Sequence, residues 1–363
     1  MEPKIIKSYE ESTEFEALFE SAMKCKLGKM WKASVARFML HVIEECLKLE
    51  EELANDNYMP RKPHSFTLYY PKVRPCSSTH IRDRVVQRSL NDNLIYPAMT
   101  GSFILDNMAC QKGKGTTRAM DRLNEQLRRF YINNGNSNKG WVLQVDVRGY
   151  YKHIRHDDAK ICFSQHLDGV TVYRAMSWLQ RQYPYPIGYE PGSQMVQILG
   201  ISLLDHLDHS VKEIEKARYY ERYMDDLIVV SADREHLERC LERIKAELAK
   251  LGLEVHPEKT RIYPLRDGIK FLGFTFRLTD TGKVIRIINP ANVKHERKKL
   301  YRMAELVKKG ELPAGKLYEC YNAWKAHANL GNSHKLLVKM DAYVKELMKG
   351  VKNANQSSEG IVP

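Results

Sequence analysis

Residues 219–231 read Tyr-Tyr-Glu-Arg-Tyr-Met-Asp-Asp-Leu-Ile-Val-Val-Ser and carry the strongest fold signal in the chain. Two short runs rich in apolar and aromatic residues surround a pair of carboxylates, so the pattern predicts a β-hairpin with Asp225 and Asp226 at its turn. Two like charges this close raise each other's pKa unless a cation neutralises them. Taken alone, the pair fits an ordinary turn better, because Asp tolerates turn geometry well.

A third carboxylate in the same setting favours a metal site instead. Asp146 ends the apolar run at 141–145 and is followed by Val-Arg-Gly-Tyr-Tyr at 147–151. Three carboxylates at neighbouring strand ends suit two Mg²⁺ ions about 4 Å apart, one activating a hydroxyl and the other clamping a triphosphate. Mg²⁺ binds a few carboxylates and fills its other positions with water and phosphate oxygens. Spacing alone leaves open whether the three acids converge.

The composition predicts a globular protein with a polyanionic partner. The chain has 363 residues, of which 43% are hydrophobic and 28% charged, and its net charge is +13 at pH 7. This length suits two or three subdomains, and the excess of positive charge favours nucleic acid as the partner. A basic protein without such a partner is the alternative that charge alone leaves open.

Cysteine usage and hydropathy predict the compartment. The seven cysteines are dispersed and form no C-x-x-C pair, which predicts reduced thiols without disulfides or structural zinc. Residues 1–11 carry charges where a signal peptide needs an apolar run, and no stretch approaches the ~20 apolar residues of a membrane helix. We therefore predict a cytoplasmic location and no membrane partner.

Hydrophobic periodicity predicts an α/β core followed by helices alone. Helix is predicted for most of the first 60 residues and at 81–90, 119–131, 157–182, 193–216, 234–251, 293–308 and 314–347. Strands are predicted at 66–70, 140–147, 253–255, 260–263 and 270–277. Strands that end in acids and are framed by helices indicate an α/β core, and the helical last 70 or so residues indicate a second subdomain.

Seven blocks over about residues 60–280 resemble those of reverse transcriptases, in that family's order. Tyr-Met-Asp-Asp at 223–226 resembles the palm hairpin signature, and residues 144–154 resemble the first catalytic block. The other blocks are 72–75 with 81–87, 109–116, 192–197 with 207–209, 257–260 and 271–274. Each block is weakly specific, whereas seven in order are strongly specific. The similarity is greatest to bacterial retroelement enzymes of the diversity-generating, group II intron-like and defence-associated types.

The resemblance implies an α/β fold in which an α+β palm forms a right-hand polymerase with fingers, palm and helical thumb. Residues 1–60 are assigned to an N-terminal helical extension and 61–140 to the fingers. Residues 141–285 are assigned to the palm, with fingers-associated helices within 157–190. Residues 286–350 form the thumb, whose basic face is expected to contact the duplex backbone, and 351–363 form a disordered tail.

The resemblance also implies which residues carry the catalysis. Asp146, Asp225 and Asp226 would hold the metal ions, assisted by the backbone carbonyl of Val147. Lys259 is implied as a general acid for the departing pyrophosphate, although a lysine between short strands is more often solvated.

Binding roles are implied for five further residues. Lys72 and Arg74 would pair with the triphosphate, since charge-assisted contacts to phosphate are strong, and a solvated basic loop is the alternative. Tyr151 matches the aromatic residue beneath the incoming sugar that excludes a 2′-hydroxyl, and a core aromatic is the alternative. Gly192 would be the flexible glycine under the incoming base pair, and Gln197 would belong to the same nucleotide pocket.

Three features depart from the pattern or are weighed against it. Val196 stands where the family's pocket block commonly has serine, which puts the base contacts in doubt. Asp208 and its neighbours Asp205, His206 and His209 look metal-binding, but a solvated or partly buried helix face is the better interpretation. Tyr321, Trp324 and His327 are predicted to pack in a core.

The implied reaction is RNA-directed DNA polymerisation from dNTPs with two Mg²⁺ ions, or Mn²⁺ in their place. The implied partners are an RNA template, expected to be a cognate non-coding RNA, a DNA primer or product strand and, as an option, a small accessory protein. The alternatives are a template-independent or RNA-synthesising polymerase on the same palm, and a non-catalytic RNA-binding derivative. Diversity generation, antiviral defence and mobility stay open as biological roles.

Overall fold

The computed structural model describes residues 6–69 and 73–359, and the chain folds into two compact units. The first unit is Met1–Gly115, Leu143–Val229 and Glu235–Arg261, and the second is Thr116–Val142, Val230–Arg234 and Ile262–Pro363. The chain therefore passes between the units several times. The segment assigned from sequence to the palm, 141–285, is divided between them.

The N-terminal part is helical, as predicted. Its helices are α1 (Tyr9–Thr13), α2 (Phe15–Lys26), α3 (Ala33–Leu40) and α4 (Val42–Ala54). Ser8 starts the first helix with a capping box, in which the Ser8 hydroxyl accepts from the Glu11 backbone N–H at 3.1 Å. Helix α2 packs between α4 and the later helix α5 (Ile81–Leu90). The extension is thereby anchored to the rest of the first unit.

An antiparallel strand pair links the extension to the helices that follow. Strands β1 (His64–Leu68) and β2 (Arg74–Ser78) pair with Phe66 opposite Cys76, and every residue of β1 is exposed. After α5 the chain continues through a π-helical turn at Asn91–Ile95 into α6 (Tyr96–Met99). Helix α7 (Thr116–Asn133) belongs to the second unit.

A four-stranded sheet carries the acids singled out in the sequence. Its strands are β3 (Trp141–Asp146), β4 (Tyr219–Tyr223), β5 (Asp226–Ser231) and β6 (Arg261–Pro264), in the order β4-β5-β3-β6. The apolar residues at the centres of β3 and β5 are fully or almost fully buried, which is why these short runs form strands. The predicted hairpin is confirmed, and it lies beside β3.

The predicted helix at 193–216 is wrong as a single element. The helices between β3 and β6 are α8 (Tyr150–His153), α9 (His156–Ser164), α10 (Gly169–Gln182), α11 (Gln194–Ser202), α12 (Asp205–His209) and α13 (Arg234–Lys250). The backbone of Leu204 leaves helical dihedrals at φ −98° and ψ 9°, so α11 and α12 are separate, and a π-helical turn follows at Ser210–Ile214. The predicted strand at 253–255 is only an isolated bridge between Val147 and Val255.

The second unit contains a separate sheet and three helices. These are β7 (Ile269–Phe271), β8 (Phe274–Leu278) and β9 (Val284–Ile288), then α14 (Pro290–Lys308), α15 (Ala314–Ala328) and α16 (His334–Glu359). The three helices pack around Leu300, Leu317, Tyr321 and Met340, so the predicted core role of Tyr321 is confirmed. Trp324 packs at the edge of this core, whereas His327 instead packs against the Phe274 ring, with centroids 5.0 Å apart.

Two predictions in this unit are wrong, because a tight turn and a close approach override periodicity. The predicted strand at 270–277 is interrupted by a tight turn with positive φ at Leu272 and Gly273. The predicted helix at 314–347 breaks before Gly331, where a Cβ would lie 2.8 Å from Phe274. The tail predicted to be disordered from 351 is helical to Glu359, and residues 360–363 lie outside the described part.

No helix in the described part of the chain is both long and apolar enough to cross a membrane.

The N-terminus of α10 offers a simple test of the local structure. Asp168 accepts hydrogen bonds from the backbone N–H groups of Val170 and Thr171, both at 3.0 Å, and from the Thr171 hydroxyl at 2.6 Å. These bonds, with the Thr171 hydroxyl as the largest cause, lower the pKa of Asp168.

We predict that Asp168→Ala lowers the free energy of unfolding by about 1 kcal/mol at pH 7. Because the folded-state pKa lies below the unfolded value, this contribution is present above the unfolded pKa and is lost as pH falls through the folded pKa. The difference from wild type should therefore shrink below about pH 4. Urea unfolding at pH 7 and below about pH 4 measures this difference in the free energy of unfolding. Glu346→Ala, at an exposed position, is the control. Equal stability of Asp168→Ala and wild type at pH 7 would contradict the cap.

Candidate active site

The turn of the β4–β5 hairpin lies against the end of β3. The backbone N–H of Val147, the residue after Asp146, donates to the carbonyl of Asp225 at 3.3 Å. Met224 has a positive φ of 57°, an unusual backbone conformation for a non-glycine residue, and it starts the turn that leads into Asp225. The fold therefore brings the backbone of Asp225 next to the end of β3, which carries Asp146.

A buried arginine fixes this turn. Arg222, on β4, donates to the Met224 carbonyl at 3.0 Å and to the Ile201 carbonyl at 2.9 Å. Its Nε and Nη2 atoms donate to the two carboxylate oxygens of Asp208 at 2.7 and 2.6 Å. The Tyr220 hydroxyl also donates to Asp208. The guanidinium thus joins β4, the end of α11, α12 and the hairpin turn.

Asp208 and Arg222 are positioning residues that the sequence did not reveal. Both side chains are fully buried, so the prediction that Asp208 lies on a solvated or partly buried helix face is wrong. Burial raises the pKa of Asp208, and the charge of Arg222 opposes that rise. The only available signal was an acid inside one recognised block and an arginine just before another, because nothing in the spacing of residues 208 and 222 indicates contact.

Asp146 is held from the opposite side by Lys259. The Lys259 Nζ lies 2.9 Å from each carboxylate oxygen of Asp146, a two-point ion pair in which the Asp146 side chain is 19% exposed. The Asp146 carbonyl accepts from the His256 backbone N–H at 2.7 Å. The lysine that sequence resemblance marked as a general acid is therefore in direct contact with a predicted metal ligand.

The donor types at this site suit Mg²⁺, but the side chains do not form a ready-made metal cage. Aspartate carboxylates and a backbone carbonyl at Val147 are the oxygen ligands that Mg²⁺ prefers. Within residues 6–69 and 73–359, however, no three His, Cys, Asp or Glu side chains are grouped closely enough to hold a metal ion. Lys259 supplies the positive charge next to Asp146 instead. A metal at Asp146 would share or replace this contact with Lys259.

Tyr151 lies close to the acids and under a glycine. A Cβ at position 200 would be 2.6 Å from the Tyr151 hydroxyl, so Gly200 makes room for this ring. Among the described residues the buried Tyr151 hydroxyl has no hydrogen-bond partner. Burial, followed by the nearby groups Cys110 and Asp225, raises the pKa of this hydroxyl. The ring is therefore well fixed and offers an uncommitted polar atom.

Tyr151 and Asp225 line a cavity of about 680 Å³ within the first unit. Its wall combines aromatic rings, which include Tyr183 and Tyr189, with several cations, which include Lys62, Lys152 and Arg181. Residues 186–189 lie alongside the segment that comes after β3, since the Tyr189 N–H donates to the Tyr151 carbonyl at 2.8 Å. A cavity of this size with aromatic walls and a few charges suits a small charged organic ligand such as a nucleotide.

Gly192 and the start of α11 are fixed against the strand pair. A Cβ at position 192 would lie 2.3 Å from the Ser77 carbonyl oxygen, so only glycine allows this approach. The buried Ser193 hydroxyl donates to Gln87 at 3.1 Å, and Gln87 donates to Gln182. The block at 192–197 and the block at 81–87 therefore meet through buried polar side chains.

Val196, the departure from the family's pocket block, is a core residue. Its side chain is fully buried in the first unit. Gln197, predicted in the nucleotide pocket, is half-buried on α11 and is not among the residues that line the cavity. In the block at 192–197 the residue with a hydroxyl is Ser193, and this hydroxyl donates to Gln87.

The remaining predicted residues fall in three groups. Lys72 lies outside the described residues, as does the side chain of Arg74, whose backbone starts β2. Lys114, in the Gly/basic block, donates to the carbonyls of Leu105 and Asn107 at 3.1 and 2.6 Å, which is a structural role. His209 bonds Glu213 at 2.6 Å and is no metal ligand with the groups described.

Comparison with known sequences agrees with this geometry. Residues 61–276, more than half of the chain, match the family described as reverse transcriptase (RNA-dependent DNA polymerase). The chain belongs to this family. The reverse transcriptase match covers Asp146, Tyr151, Asp225 and the Asp208–Arg222 pair, and it supports the palm-type polymerase fold expected from the sequence. A specifically bacterial type does not follow from this match.

Individual relatives of this reverse transcriptase are distant. The chain is 33% identical over 81 residues to the Gag-Pro-Pol polyproteins of Mason-Pfizer monkey virus and simian retrovirus SRV-1, over 22% of its own length and 4% of theirs. Among solved structures it is similar to the apo telomerase from Candida tropicalis, with 12% identity and a TM-score of 0.46 over 62% of this chain and 55% of that one. The telomerase from Candida albicans in complex with the TWJ fragment of telomeric RNA gives 11% identity and 0.47, over 68% and 51%.

We predict that Asp208→Asn lowers the free energy of unfolding by about 3–5 kcal/mol, because it leaves the buried Arg222 guanidinium without a counter-charge. Denaturant unfolding measures this loss. Glu242→Gln is the matched control, since it removes a carboxylate from a surface pair with Lys245 and should change stability by less than about 1 kcal/mol. If the two variants lose the same amount, the Asp208–Arg222 pair does not organise the turn.

Proposed function

We propose that this chain is an RNA-directed DNA polymerase that extends a primer strand from dNTPs on an RNA template. The observation that carries the proposal is the hydrogen bond between Val147 and Asp225, which joins two acid-bearing strand ends beside a cavity of nucleotide size. The family match over residues 61–276 supports the same reaction. The transfer forms a bond between a primer 3′-oxygen and the α-phosphorus and releases pyrophosphate.

The acids are proposed to bind two divalent cations. Asp146, Asp225 and Asp226, with the Val147 carbonyl, are the ligands that we assign. When bound, Mg²⁺ or Mn²⁺ would lower the pKa of the attacking hydroxyl and neutralise charge on the phosphates. The chain's own contribution is to hold the backbone of two carboxylate-bearing segments together, through the Arg222 guanidinium and the Val147 N–H.

Lys259 is proposed to exchange partners during the reaction. In the structure its ammonium group neutralises Asp146. A triphosphate and its cations at this site would compete for both groups, which frees Lys259 to donate a proton to the leaving pyrophosphate. Lys62, Lys152 and Arg181 in the cavity wall are suited to the remaining phosphate charge, together with Lys72 and Arg74 as the sequence predicts.

We predict that Asp225→Asn and Asp146→Asn each reduce primer extension by at least about 10³-fold, because each removes a metal-binding charge with little change of shape. Extension of a labelled DNA primer on an RNA template measures the rate. Exposed Asp157→Asn, on α9, should retain wild-type activity. Extension by either variant within tenfold of wild type would remove these residues from the metal site.

Tyr151 is proposed to select the sugar. Its ring is fixed beneath Gly200 and lines the cavity beside Asp225, so a nucleotide with its phosphates near Asp225 would bring its sugar towards this ring. A bulky side chain there leaves no room for a 2′-hydroxyl, and a clash discriminates against ribonucleotides. The buried hydroxyl, which has no hydrogen-bond partner among the described residues, is a further group that a sugar could engage.

We predict that Tyr151→Val keeps dNTP incorporation and raises the use of GTP relative to dGTP by at least about tenfold, a difference of about 1.4 kcal/mol in the two barriers. Single-nucleotide extension with both nucleotides in competition measures the ratio. Tyr173→Val, which removes an exposed ring outside the cavity, should leave it unchanged. A wild-type preference for GTP would replace the proposal with an RNA polymerase on the same fold.

The partners follow from the same proposal. We propose a cognate non-coding RNA as template and a bacterial retroelement or antiphage defence system as the setting, on the resemblance of the seven sequence blocks to such enzymes. A small accessory protein belongs to the same expectation. Sequencing of RNA that co-purifies with the chain from its native cell tests the first point. The genes next to this one in the genome test the second point. A variable target gene with a template repeat would indicate a diversity-generating retroelement, and a cluster of defence genes would indicate antiphage defence.

A further inference from the structure

A basic groove lies on the first unit, between the N-terminal helices and the strand pair β1–β2. We call this the N-terminal groove. Its volume is about 560 Å³, and α3, the chain before β1 and the start of α5 contribute its walls. The positively charged or titratable residues that line it include Lys32, Arg37, Arg61, His64, His80 and Arg84. Of the described residues that line the groove, only Glu45 is acidic.

The cations of the groove are available for a ligand. Among the described residues, no carboxylate lies within 4 Å of the Lys32 ammonium group or of the Arg37 and Arg61 guanidinium groups, and all three residues are exposed. Arg84 is held in place by neutral acceptors, the Ser78 hydroxyl at 3.2 Å and the Thr79 carbonyl at 3.0 Å. By contrast, Arg82, which also lines the groove, is paired with Glu52. The groove therefore concentrates positive charge that the protein itself does not neutralise.

Neighbouring groups show the effect of this charge. The pKa of Lys29 is lowered by burial and then by the positive charges of Arg84 and Lys32. Like charges within a few ångströms of each other cost free energy unless counter-ions or a polyanion bind between them. A ligand that brings several negative charges at once would relieve this repulsion, and a phosphate backbone does so.

Exposed aromatic rings flank the cations. Trp31 is 79% exposed, and the Lys32 ammonium group lies 5.2 Å from its ring. On β1, the groove residue His64 stacks with the exposed Phe66, with ring centroids 6.4 Å apart. Aromatic rings beside arginine and lysine are the features with which proteins bind unpaired nucleotides, since bases stack on the rings while cations contact the backbone. An acidic peptide would use the cations but has no need of the rings.

The groove and the active-site cavity use different faces of the same strand pair. Arg61 and His64 line the groove, whereas Lys62, Pro63 and Ser65 line the cavity. Within β1, the neighbours His64 and Ser65 therefore face different sites, because successive side chains of a strand point to opposite faces. Because β1 is exposed along its whole length, both faces are open to ligands. A nucleic-acid segment bound in the groove would therefore be distinct from the ligand that occupies the cavity.

We infer that the N-terminal groove is a second RNA-binding surface, which holds a single-stranded RNA segment outside the stretch being copied. The inference rests on the proposed function in that it takes RNA as the partner, but it concerns binding and not polymerisation. The groove would tether the RNA partner through its phosphates and one or two stacked bases, without reading a fixed sequence.

The test compares two triple variants that remove the same charge. Lys32, Arg37 and Arg61 are replaced together by Gln in the groove variant, and exposed Lys48, Lys160 and Arg239 in the control. Fluorescence anisotropy with a 20-nucleotide single-stranded RNA, at several salt concentrations, gives the affinity. Loss of three phosphate contacts should weaken binding at least about tenfold and flatten the salt dependence by about 2 logarithmic units per decade of salt. The control should change affinity less than about threefold.

Primer extension separates this proposal from the proposed function. On a short RNA template that forms a duplex with the primer and leaves a few unpaired nucleotides, the groove variant should extend within twofold of wild type. Equal loss of RNA affinity in both triple variants would overturn the inference, as would lost extension on the short template with RNA affinity unchanged. Loss of poly-glutamate binding alone would assign the groove to an acidic protein. Inactive wild type that still binds RNA through the groove would overturn the proposed function only.

A measurement on the wild-type chain keeps the test independent of variant folding. RNA carrying photoreactive 4-thiouridine is crosslinked to the full chain, and the crosslinked peptides are identified by mass spectrometry. Peptides that contain Trp31 or Phe66 are expected, and they should persist when a short primer–template duplex is present in excess. Crosslinks confined to other peptides, or groove crosslinks that disappear with the duplex, would overturn the inference.

Discussion

The arrangement of the active site depends on a single buried ion pair. Arg222 is fully buried, and a guanidinium in that position is tolerated only because Asp208 accepts two of its hydrogen bonds and backbone carbonyls accept others. The pair determines where α12 lies relative to β4. It also supports the turn that carries Asp225, since Arg222 donates a further hydrogen bond to the Met224 carbonyl. A site for concentrated negative charge is thus supported from behind by a positive charge that solvent cannot reach.

From this turn the site extends by close contacts that only small residues permit. The Val147 N–H joins the turn to the end of β3, and two residues of this segment, Tyr150 and Tyr151, pack against α11 at Gly200. Gly192 allows a second close approach, of the segment before α11 to β2. The cavity that results has aromatic, cationic and acidic residues in its wall. Lys259 balances the charge of Asp146 by a direct ion pair.

The strand pair β1–β2 contributes residues to both the cavity and the N-terminal groove, and both sites contain cations. The strand pair and the segment before it line both sites, with Lys62 in the cavity wall and Arg61 in the groove wall, and β1 is exposed along its length. A two-stranded ribbon with both faces exposed has little apolar burial of its own, so packing of its flanking segments must hold it. Arg84 and the backbone of Arg61, which donates to the buried Asp83, supply part of that anchorage. The N-terminal helices therefore shape a surface next to the catalytic unit as well as stabilise it.

Local signals in the sequence were enough to predict the hairpin, β3 and most helix positions, because alternation and periodicity are read over a few residues. The assignment of Asp146, Asp225 and Asp226 to one metal site came from the resemblance to reverse transcriptases and stays a prediction. The folded chain was needed to establish that α11 and α12 are separate, that a turn at Gly273 divides the predicted strand at 270–277, and that Val196 faces the core. It was also needed to pair Asp208 with Arg222 and Lys259 with Asp146. Those partners are 14 and 113 residues apart in sequence, and their contact depends on how buried charges are neutralised across the fold, which no local pattern encodes.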